Sequence, residues 1–546
     1  MSLTPKLRIV TAAALFDGHD ATINIMRRLM QGMGAEVIHL GHNRSAAEIV
    51  DCAIQEDARA IAVTSYQGGH LEFFRYLHDL LVEKQSGHIR IFGGGGGTIL
   101  PAEAEELQRY GIERIYSPDD GRKMGLQGMV ADLINRCGPG ALSTPDKDYH
   151  LPLKQEQLGI ARAITIIENE LPESEEIQRQ LSQRKSTVPI IGITGPGGAG
   201  KSTLTDEIIL RFLQRFPDKS LAVISADPSR KKTGGALLGD RIRMNAIHNP
   251  RAYMRSMATR ESGQSMSSHV QEAVKICQNA GFDLIFLEST GIGQNDTTMA
   301  NYCDICIYVM TPEYGSASQL EKINMLDYAD LVVVNKYEKS GSKDALHDVR
   351  KQYKRNHSLW AALDMDLPVV GTIAAQFNDS GVNNLFDFLL KMISNKCGIS
   401  FGEISRNIVR TVPTDQSLII PPARVRYLSE ITESLARYDL WIKEQVNISS
   451  KLYRIRGTTD MIRESGNIIP DSLKQIIQGL DQTMDAECRN LIEQWDELVK
   501  LYTSDSYQFD VRGKTIDLPL HFESLSHTRI SKIALPRYSD WGDLLR

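Results

Sequence analysis

Short apolar runs alternate with helical patterns over residues 1–136. Between the runs, segments such as 21–33 and 71–83 repeat apolar residues at the spacing of amphipathic helices. Strands that alternate with helices favour a parallel, doubly wound sheet. We therefore predict a flavodoxin-like α/β domain with five strands. The predicted strands are 7–15, 35–40, 60–64, 89–92 and 112–116.

The pattern changes after this domain. A Gly- and Pro-rich break at 137–145 precedes a run of Ile and Leu among charges at 152–184, which predicts a connecting helix. A second α/β domain begins with the apolar strand at 188–194. Amphipathic patterns at 425–446 and 469–501 then predict a mainly helical region. The predicted boundaries are 1–136, 137–186 for a linker with a helix, 187–397 and 398–546.

The composition argues against several classes of partner and site. The chain has 62 basic and 68 acidic residues and a net charge of −6, and no basic run indicates a nucleic-acid partner. Apolar runs are too short for a membrane span, and no signal peptide is recognised at the N-terminus. Seven scattered cysteines fit reduced thiols in a cytoplasmic protein. Cys303 and Cys306 lie in a predicted buried strand, which favours core thiols over a redox or metal site.

Unusual residues follow three of the predicted strands in the first domain. Asp17-Gly18-His19 follows the first strand, Ser65 opens the loop after the third, and five glycines, Gly93–Gly97, follow the fourth. Ligands bind beyond the carboxyl ends of parallel strands. Close approach of the backbone to a bulky, flat ligand would explain the glycines, and an aspartate that accepts the second N–H of a histidine typically supports a metal-bound imidazole. The alternative is that these residues are polar loop groups and a turn.

These residues resemble the cobalamin-binding domain of adenosylcobalamin-dependent mutases, whose pattern is Asp-x-His-x-x-Gly, then Ser-x-Leu, then Gly-Gly. This chain has Thr22 for the first glycine and Gln67 for the leucine. The resemblance implies that His19 is the lower ligand of cobalt in adenosylcobalamin and that the displaced benzimidazole tail lies beside Ser65 and the glycines. The candidate cobalamin-binding residues are Asp17, His19, Asp20, Ser65, Gly93 and Gly94.

The second domain opens with a phosphate-binding loop. Residues 195–202 read GPGGAGKS, with a strand before them and a predicted helix at 204–216 after them. Backbone N–H groups of such a loop cradle phosphates, Lys201 is predicted to reach the β- and γ-phosphates, and Ser202 to bind Mg²⁺. The candidate phosphate-binding residues are Gly195, Gly197, Gly198, Ala199, Gly200, Lys201, Ser202 and Thr203.

Further motifs follow in the order of a GTPase. Asp227 follows the strand 221–225, and Glu288 ends the apolar strand 283–288, which resembles a Walker B strand. Asn335-Lys336-Tyr337-Glu338 resembles the guanine-specifying NKxD motif, with Glu338 in place of Asp. A glutamate still offers two acceptor oxygens, one methylene further out. We therefore predict that the domain binds GTP and GDP.

The segments 234–244 and 255–260 resemble signatures of the MeaB-type G-protein chaperones of adenosylcobalamin mutases. The resemblance implies a Mg²⁺ site organised by acidic residues, directly or through water, and a nucleotide-sensing switch at 293–298. The alternative for the arginines of 255–260 is a solvated face. The candidate Mg²⁺ residues are Ser202, Asp227, Asp240 and Glu288, and Lys201, Asp227 and Glu288 are the candidate catalytic residues. No arginine finger or catalytic glutamine is identified.

The two domains together resemble the fused isobutyryl-CoA mutases. That family continues into a (β/α)₈ barrel that binds acyl-CoA, and eight βα units need roughly 250 residues. We expect this chain to lack the barrel and to be a fragment or a split subunit. It is then expected to bind cobalamin and hydrolyse GTP, with the G domain gating cofactor loading, but to isomerise acyl-CoA only with a barrel in cis or on a separate subunit. A homodimer is also expected.

Other functions compete with this interpretation. A stand-alone cobalamin-binding GTPase chaperone would serve a separate mutase. A nickel- or zinc-delivery GTPase would show a Cys/His cluster near the nucleotide site, and none is recognised in the sequence. A corrinoid methyltransferase module would share the histidine ligand but would not need the 234–244 signature. A transport-linked ATPase would bind adenine, which competition between ATP and GTP would reveal.

Overall fold

The computed structural model describes residues 6–138, 151–152, 155–183, 186–230, 233–260, 266–291, 297–402, 426–511 and 514–546. The chain divides into two compact units, 1–418 and 419–546. Within the described ranges, every helix is too short or too polar to cross a membrane.

All five predicted strands of the first domain are present and pair in parallel. Their apolar side chains are buried on both faces because helices cover the sheet on each side, as expected for a parallel sheet. The elements are β1 (Arg8–Ala13), α1 (Ala21–Gly32), β2 (Glu36–His39), α2 (Ala46–Gln55), β3 (Ala60–Thr64), α3 (His70–Glu83), β4 (Arg90–Gly94), α4 (Pro101–Tyr110), β5 (Arg114–Tyr116) and α5 (Pro118–Cys137).

The connecting segment contains two helices, so the prediction of one helix over 152–184 is wrong. They are α6 (Gln157–Glu168) and α7 (Ser174–Ser182). Glu170 has a φ of 49°, and Pro172 has no N–H to donate, so the helical hydrogen bonds cannot continue through this turn. The apolar face of α6 is buried, which fixes this helix against the second domain.

The second domain is built on a seven-stranded parallel sheet in the order β13-β12-β11-β6-β10-β7-β9. Strand β6 is central, and the phosphate-binding loop follows it. The elements are β6 (Ile190–Thr194), α8 (Lys201–Arg215), β7 (Leu221–Asp227), β8 (Ala236–Leu238), β9 (Ala252–Ala258), α9 (Val270–Asn279), β10 (Leu284–Glu288), β11 (Ile305–Met310), α10 (Ala317–Leu320), β12 (Leu331–Asn335), α11 (Ser342–Asn356), β13 (Val369–Thr372) and α12 (Ser380–Met392).

Strand β8 belongs to the second domain in sequence but joins the sheet of the first, which the sequence did not predict. It pairs in parallel with β2, so the first sheet has six strands in the order β5-β4-β3-β1-β2-β8. Gly235 makes this approach possible. A Cβ at that position would lie 2.2 Å from the carbonyl oxygen of Gln31.

Four arginines and three glutamates form a buried ionic network between the two domains. Glu56 accepts hydrogen bonds from Arg8 and from Arg241, each at 2.8 Å. Burial would raise the pKa of the Glu168 carboxyl, but the neighbouring Arg8 and Arg255 outweigh burial and lower this pKa to about 2. The alternative that Arg255 lies on a solvated face is wrong, because its side chain is fully buried. The network comprises Arg8, Glu36, Glu56, Glu168, Arg241, Arg255 and Arg260.

The second unit is mainly helical, as predicted, but its helices differ from the predicted ones. The first extends well beyond residue 446, and the pattern at 469–501 divides into two helices because Asp485 caps a new helix by accepting from the N–H of Glu487. Leu452, Met484 and Cys488 form a small core. The elements are α13 (Tyr427–Glu464), α14 (Asp471–Thr483), α15 (Ala486–Thr503), the antiparallel pairs β14 (Ser506–Val511) with β15 (Lys514–Pro519) and β16 (His521–Glu523) with β17 (Arg529–Ser531), and α16 (Trp541–Leu545).

Candidate functional site

Asp17 holds His19 at the carboxyl edge of the first sheet. The Nδ1 of His19 lies 2.8 Å from Oδ1 of Asp17, and Oδ2 of Asp17 accepts the N–H of Tyr66 at 2.6 Å. Burial would raise the pKa of Asp17, but hydrogen bonds from Tyr66 and His19 outweigh it and lower the pKa. Because an ionised carboxylate can only accept, Nδ1 carries the proton and Nε2 is free to bind a metal. The His19 side chain is 75% exposed, so a large ligand can reach it.

A crevice of about 220 Å³ lies at the same edge of the sheet, and one of its lining residues is Tyr66, whose ring centre is 5.6 Å from that of His19. Thr64 also lines the crevice, and its Oγ1 is buried without a hydrogen-bond partner among the described residues, as is Oγ of the adjacent Ser65. An apolar crevice with an unpartnered hydroxyl fits a ligand with an aromatic ring and polar substituents, such as the nucleotide tail of cobalamin. The lining includes Ile23, Met26, Met30, Phe92, Tyr116 and Met129.

The glycines at the end of β4 and directly after it are also packed closely within the domain. A Cβ at Gly93 would lie 2.5 Å from the Phe74 ring, and a Cβ at Gly95 would lie 1.9 Å from the carbonyl oxygen of Ser65. Packing within the domain therefore requires glycine at both positions. Gly93 and Gly94 also line the crevice, so they lie where a ligand would contact them.

The two departures from the mutase pattern lie beside the crevice. Thr22 shares a hydrogen bond of 2.8 Å with the hydroxyl of Tyr66, and Gln67 donates to the carbonyl oxygen of Leu15. Asp20 is the N-cap residue of α1 and is partly exposed near His19. His70 turns away from the crevice and pairs with Glu103.

The phosphate-binding loop connects β6 to α8, which begins at Lys201 rather than at the predicted residue 204. This places residues 197–200 and Thr203 around the N-terminus of the helix, where backbone N–H groups attract phosphate. The Nζ of Lys201 donates to the carbonyl oxygens of Gly195 and Pro196 at 3.1 and 3.3 Å. Burial lowers the pKa of Lys201.

The four residues predicted to bind Mg²⁺ converge next to this loop. Oγ of Ser202 lies 2.7 Å from Glu288 and 3.5 Å from Asp240, and Asp227 accepts the N–H of Gly239 at 3.0 Å. Burial and the nearby Asp240 raise the pKa of Glu288 to about 8 and raise that of Asp227 well above its usual value. Carboxyl groups that repel one another in a buried site favour a bound cation.

No group of three or more His, Cys, Asp and Glu residues that could hold a metal occurs in the described part of the chain. Cys303 and Cys306 are free thiols packed with the second domain's core.

The predicted guanine-binding motif lies at the end of β12. Asn335 connects two loops, because its Nδ2 donates to Ala199 of the phosphate-binding loop and its Oδ1 accepts from Thr372 and from the N–H of Ala374. Lys336 has a φ of 59° and Glu338 is exposed. The motifs in the sequence do not indicate the loop at Thr372–Ala374, although a strand followed by a helix at this point is a signal for it. The predicted switch at 293–298 falls largely on residues 292–296, which lie outside the described residues.

Comparison with known proteins identifies both domains. A model of the B12 binding domain matches residues 7–117, and a model of the methylmalonyl-CoA mutase-associated GTPase MeaB matches residues 160–396. Fused isobutyryl-CoA mutases match almost the whole chain. The one from Geobacillus kaustophilus is 45% identical over 551 residues, which is 99% of this chain and 50% of the relative. The chain is a relative of the fused isobutyryl-CoA mutases, and it contains a B12 binding domain followed by a MeaB-type GTPase domain.

Other relatives agree. The fused isobutyryl-CoA mutase of Cupriavidus metallidurans is 45% identical over 545 residues, again 99% of this chain and 50% of the relative. A putative GTPase of Pyrococcus abyssi is 35% identical over 235 residues, which is 43% of this chain and 71% of that protein. The chain thus spans about half the length of the fused isobutyryl-CoA mutases that it matches. The predicted fold class and the pairing of a cobalamin-binding domain with a MeaB-type GTPase domain are confirmed.

Proposed function

We propose that this chain binds adenosylcobalamin through His19, hydrolyses GTP with Mg²⁺ at the phosphate-binding loop, and uses the nucleotide to gate cofactor loading in an acyl-CoA mutase. One observation carries the proposal. A histidine oriented by a buried aspartate lies beside an apolar crevice, in the same compact unit as a phosphate-binding loop with converging Mg²⁺ ligands.

In the cobalamin site, bound adenosylcobalamin would supply radical chemistry. The chain's own residues bind and orient it. Asp17 keeps the Nδ1–H of His19 in a hydrogen bond, so Nε2 presents its lone pair in one direction. Thr64 and Ser65 each offer a hydroxyl group to the nucleotide tail of cobalamin, and Gly93 and Gly94 leave room for that tail. Asp20, Gly93 and Gly94 complete the proposed contacts.

In the nucleotide site, backbone N–H groups at Gly195, Gly197, Gly198, Ala199 and Gly200 and at the start of α8 cradle the phosphates. On binding, Lys201 exchanges its bonds to loop carbonyls for bonds to phosphate. Ser202 binds Mg²⁺, with Glu288, Asp227 and Asp240 acting directly or through water. Asn335, Lys336 and Glu338 bind guanine.

The names of the relatives indicate which substrate the mutase would act on. We propose that the mutase interconverts isobutyryl-CoA and n-butyryl-CoA, with an acyl-CoA-binding barrel supplied in cis or by a separate subunit. We further propose that the protein is a cytoplasmic homodimer. The radical needs a sheltered pocket around the substrate, which the barrel would provide.

Two substitutions test whether the two sites bind their ligands independently. His19→Ala removes the proposed cobalt ligand, so adenosylcobalamin should bind with its own base still on cobalt or fail to bind, whereas wild type should give the base-off, histidine-bound absorption spectrum. His88→Ala, at an exposed position before β4 and therefore away from the carboxyl edge of the sheet, is the control and should behave as wild type. An unchanged base-off spectrum in His19→Ala would rule out His19 as the ligand.

Lys201→Ala removes the phosphate-binding cation, so GTP hydrolysis should fall to background while the cobalamin spectrum stays that of wild type. Lys322→Ala, an exposed lysine of the second domain, should hydrolyse GTP normally. Retained hydrolysis in Lys201→Ala would contradict the proposed nucleotide site. Loss of both ligands in a folded variant would contradict independent binding.

A further inference from the structure

Residues 236–243 connect the Mg²⁺ site to the first domain. Strand β8 lies in the first sheet, and two residues after it Asp240 accepts hydrogen bonds from Ser225 and Ser202 in the nucleotide site. Arg241 then donates at 2.8 Å to Glu56 and at 2.7 Å to Gln55, both at the end of α2. A few consecutive residues therefore contact both domains.

The next residue, Ile242, extends this contact towards the cobalamin site. Its side chain packs over Gly41, where a Cβ would lie 2.7 Å from Cδ1 of Ile242. The guanidinium of Arg44 donates to the carbonyl oxygen of Ile242 at 3.4 Å. Ile242 thus rests on the 41–44 loop, which follows β2 at the carboxyl edge of the first sheet.

The 41–44 loop in turn holds the turn that leads to His19. The N–H of Ala13 donates to Gly41 at 2.8 Å, and the N–H of Phe16 donates to Oδ1 of Asn43 at 2.8 Å. Phe16 and Asn43 have φ angles of 63° and 57°, a conformation that a bulky residue rarely adopts. Phe16 is 82% exposed, so Asn43 rather than packing of the ring holds this strained turn directly before Asp17.

We propose that Ile242 and the 41–44 loop couple the two ligand sites. A nucleotide bound with Mg²⁺ beside Asp240 then changes the affinity of the site at His19 for cobalamin. The residues of this route are not those of the predicted switch at 293–298. Where Asp240 would hold Mg²⁺, directly or through water, a displacement of Asp240 would move Ile242 against Gly41, and Asn43 would pass this displacement to Phe16. The inference rests on the proposed function, because it needs both ligands to bind this chain.

A binding cycle on the full chain tests the coupling. The dissociation constant of adenosylcobalamin is measured by absorbance without nucleotide, with Mg²⁺ and GDP, and with Mg²⁺ and a non-hydrolysable GTP analogue. In wild type at least one nucleotide should change it by about 5-fold or more, and cobalamin should change the affinity for that nucleotide by the same factor.

Ile242→Ala and Asn43→Ala should each bring this factor close to one, while a fluorescent GDP analogue binds both variants as it binds wild type. Ile25→Ala, which shortens an exposed isoleucine on α1, is the control and should keep the wild-type factor. A factor of one in wild type, or a wild-type factor in both variants, would overturn the proposed coupling although each ligand binds. Failure of wild type to bind cobalamin or nucleotide at all would instead overturn the proposed function and the coupling with it.

Discussion

Single side chains at the ends of strands decide what each site can hold. His19 is exposed, but its hydrogen bond to the buried Asp17 fixes which nitrogen faces outward. Residues of the proposed nucleotide site are buried and charged instead, and the raised pKa of Glu288 reflects its burial and the nearby carboxylate of Asp240. Glu338 is the one predicted residue that departs from the guanine motif, and its exposed position leaves room for the longer side chain.

The buried His39 makes the first domain sensitive to acid. Burial lowers the pKa of this histidine to about 4, whereas an unfolded histidine titrates near 6.5. The unfolded chain therefore takes up a proton before the folded one, and the stability that neutral His39 gives above pH 6.5 is lost as the pH falls towards 4. Between pH 7 and pH 5 this loss is about 2 kcal/mol.

His39→Gln should reduce the difference in unfolding free energy between pH 7 and pH 5 by that amount, measured by urea unfolding followed by circular dichroism. The control is His42→Gln, which changes an exposed neighbour. An equal pH dependence in His39→Gln and wild type would show that His39 does not carry this effect.

At the scale of elements, the pattern of apolar residues predicts the strands well and the turns poorly. Five of the six strands of the first sheet, β1 to β5, and the strand before the phosphate-binding loop lie where alternating apolar and helical patterns place them. The break between α6 and α7 depends on Glu170 and Pro172 within an otherwise helical pattern. Strand β8 has only three residues, and its place follows from a partner about 200 residues away, which local periodicity does not encode.

Pairing of β8 with β2 should depend on Gly235. A methyl group there would lie 2.2 Å from a backbone oxygen of Gln31 and 2.9 Å from that of Ala35, so Gly235→Ala should separate β8 from β2. We expect a loss of about 1–3 kcal/mol in stability and faster amide exchange at Ala236–Leu238.

The matched control is Gly239→Ala, because a Cβ at Gly239 would meet nothing within 4 Å. It should leave the exchange of β8 unchanged. If the amides of β8 exchanged as slowly in Gly235→Ala as in wild type, the close contact at Gly235 could be relieved without separating β8 from β2.

At the scale of the whole first unit, the two domains share more than a linker. A strand of the second domain lies in the sheet of the first, and the ionic network places Glu56 and Glu168 between arginines of both. Removal of one partner from a buried ion pair leaves an uncompensated charge, which is strongly destabilising. The unit should therefore respond to either ligand as one body, which the proposed gating of cofactor loading requires.

The sequence predicted the two sites but not their connection. Motifs such as Asp17-Gly18-His19 and the phosphate-binding loop are local, so their residues can be recognised without a structure. The contacts of Glu56 with Arg241, by contrast, join positions 185 residues apart. Neither residue belongs to a motif that indicates its partner.

Electron paramagnetic resonance of bound cob(II)alamin tests whether His19 binds cobalt in this chain, since the nitrogen below cobalt splits each cobalt line according to its nuclear spin. With protein labelled with ¹⁵N-histidine, we predict that the triplet splitting of ¹⁴N becomes the doublet of ¹⁵N. A triplet that persists in the labelled protein would mean that the cofactor's own base remains on cobalt and that His19 is not its ligand.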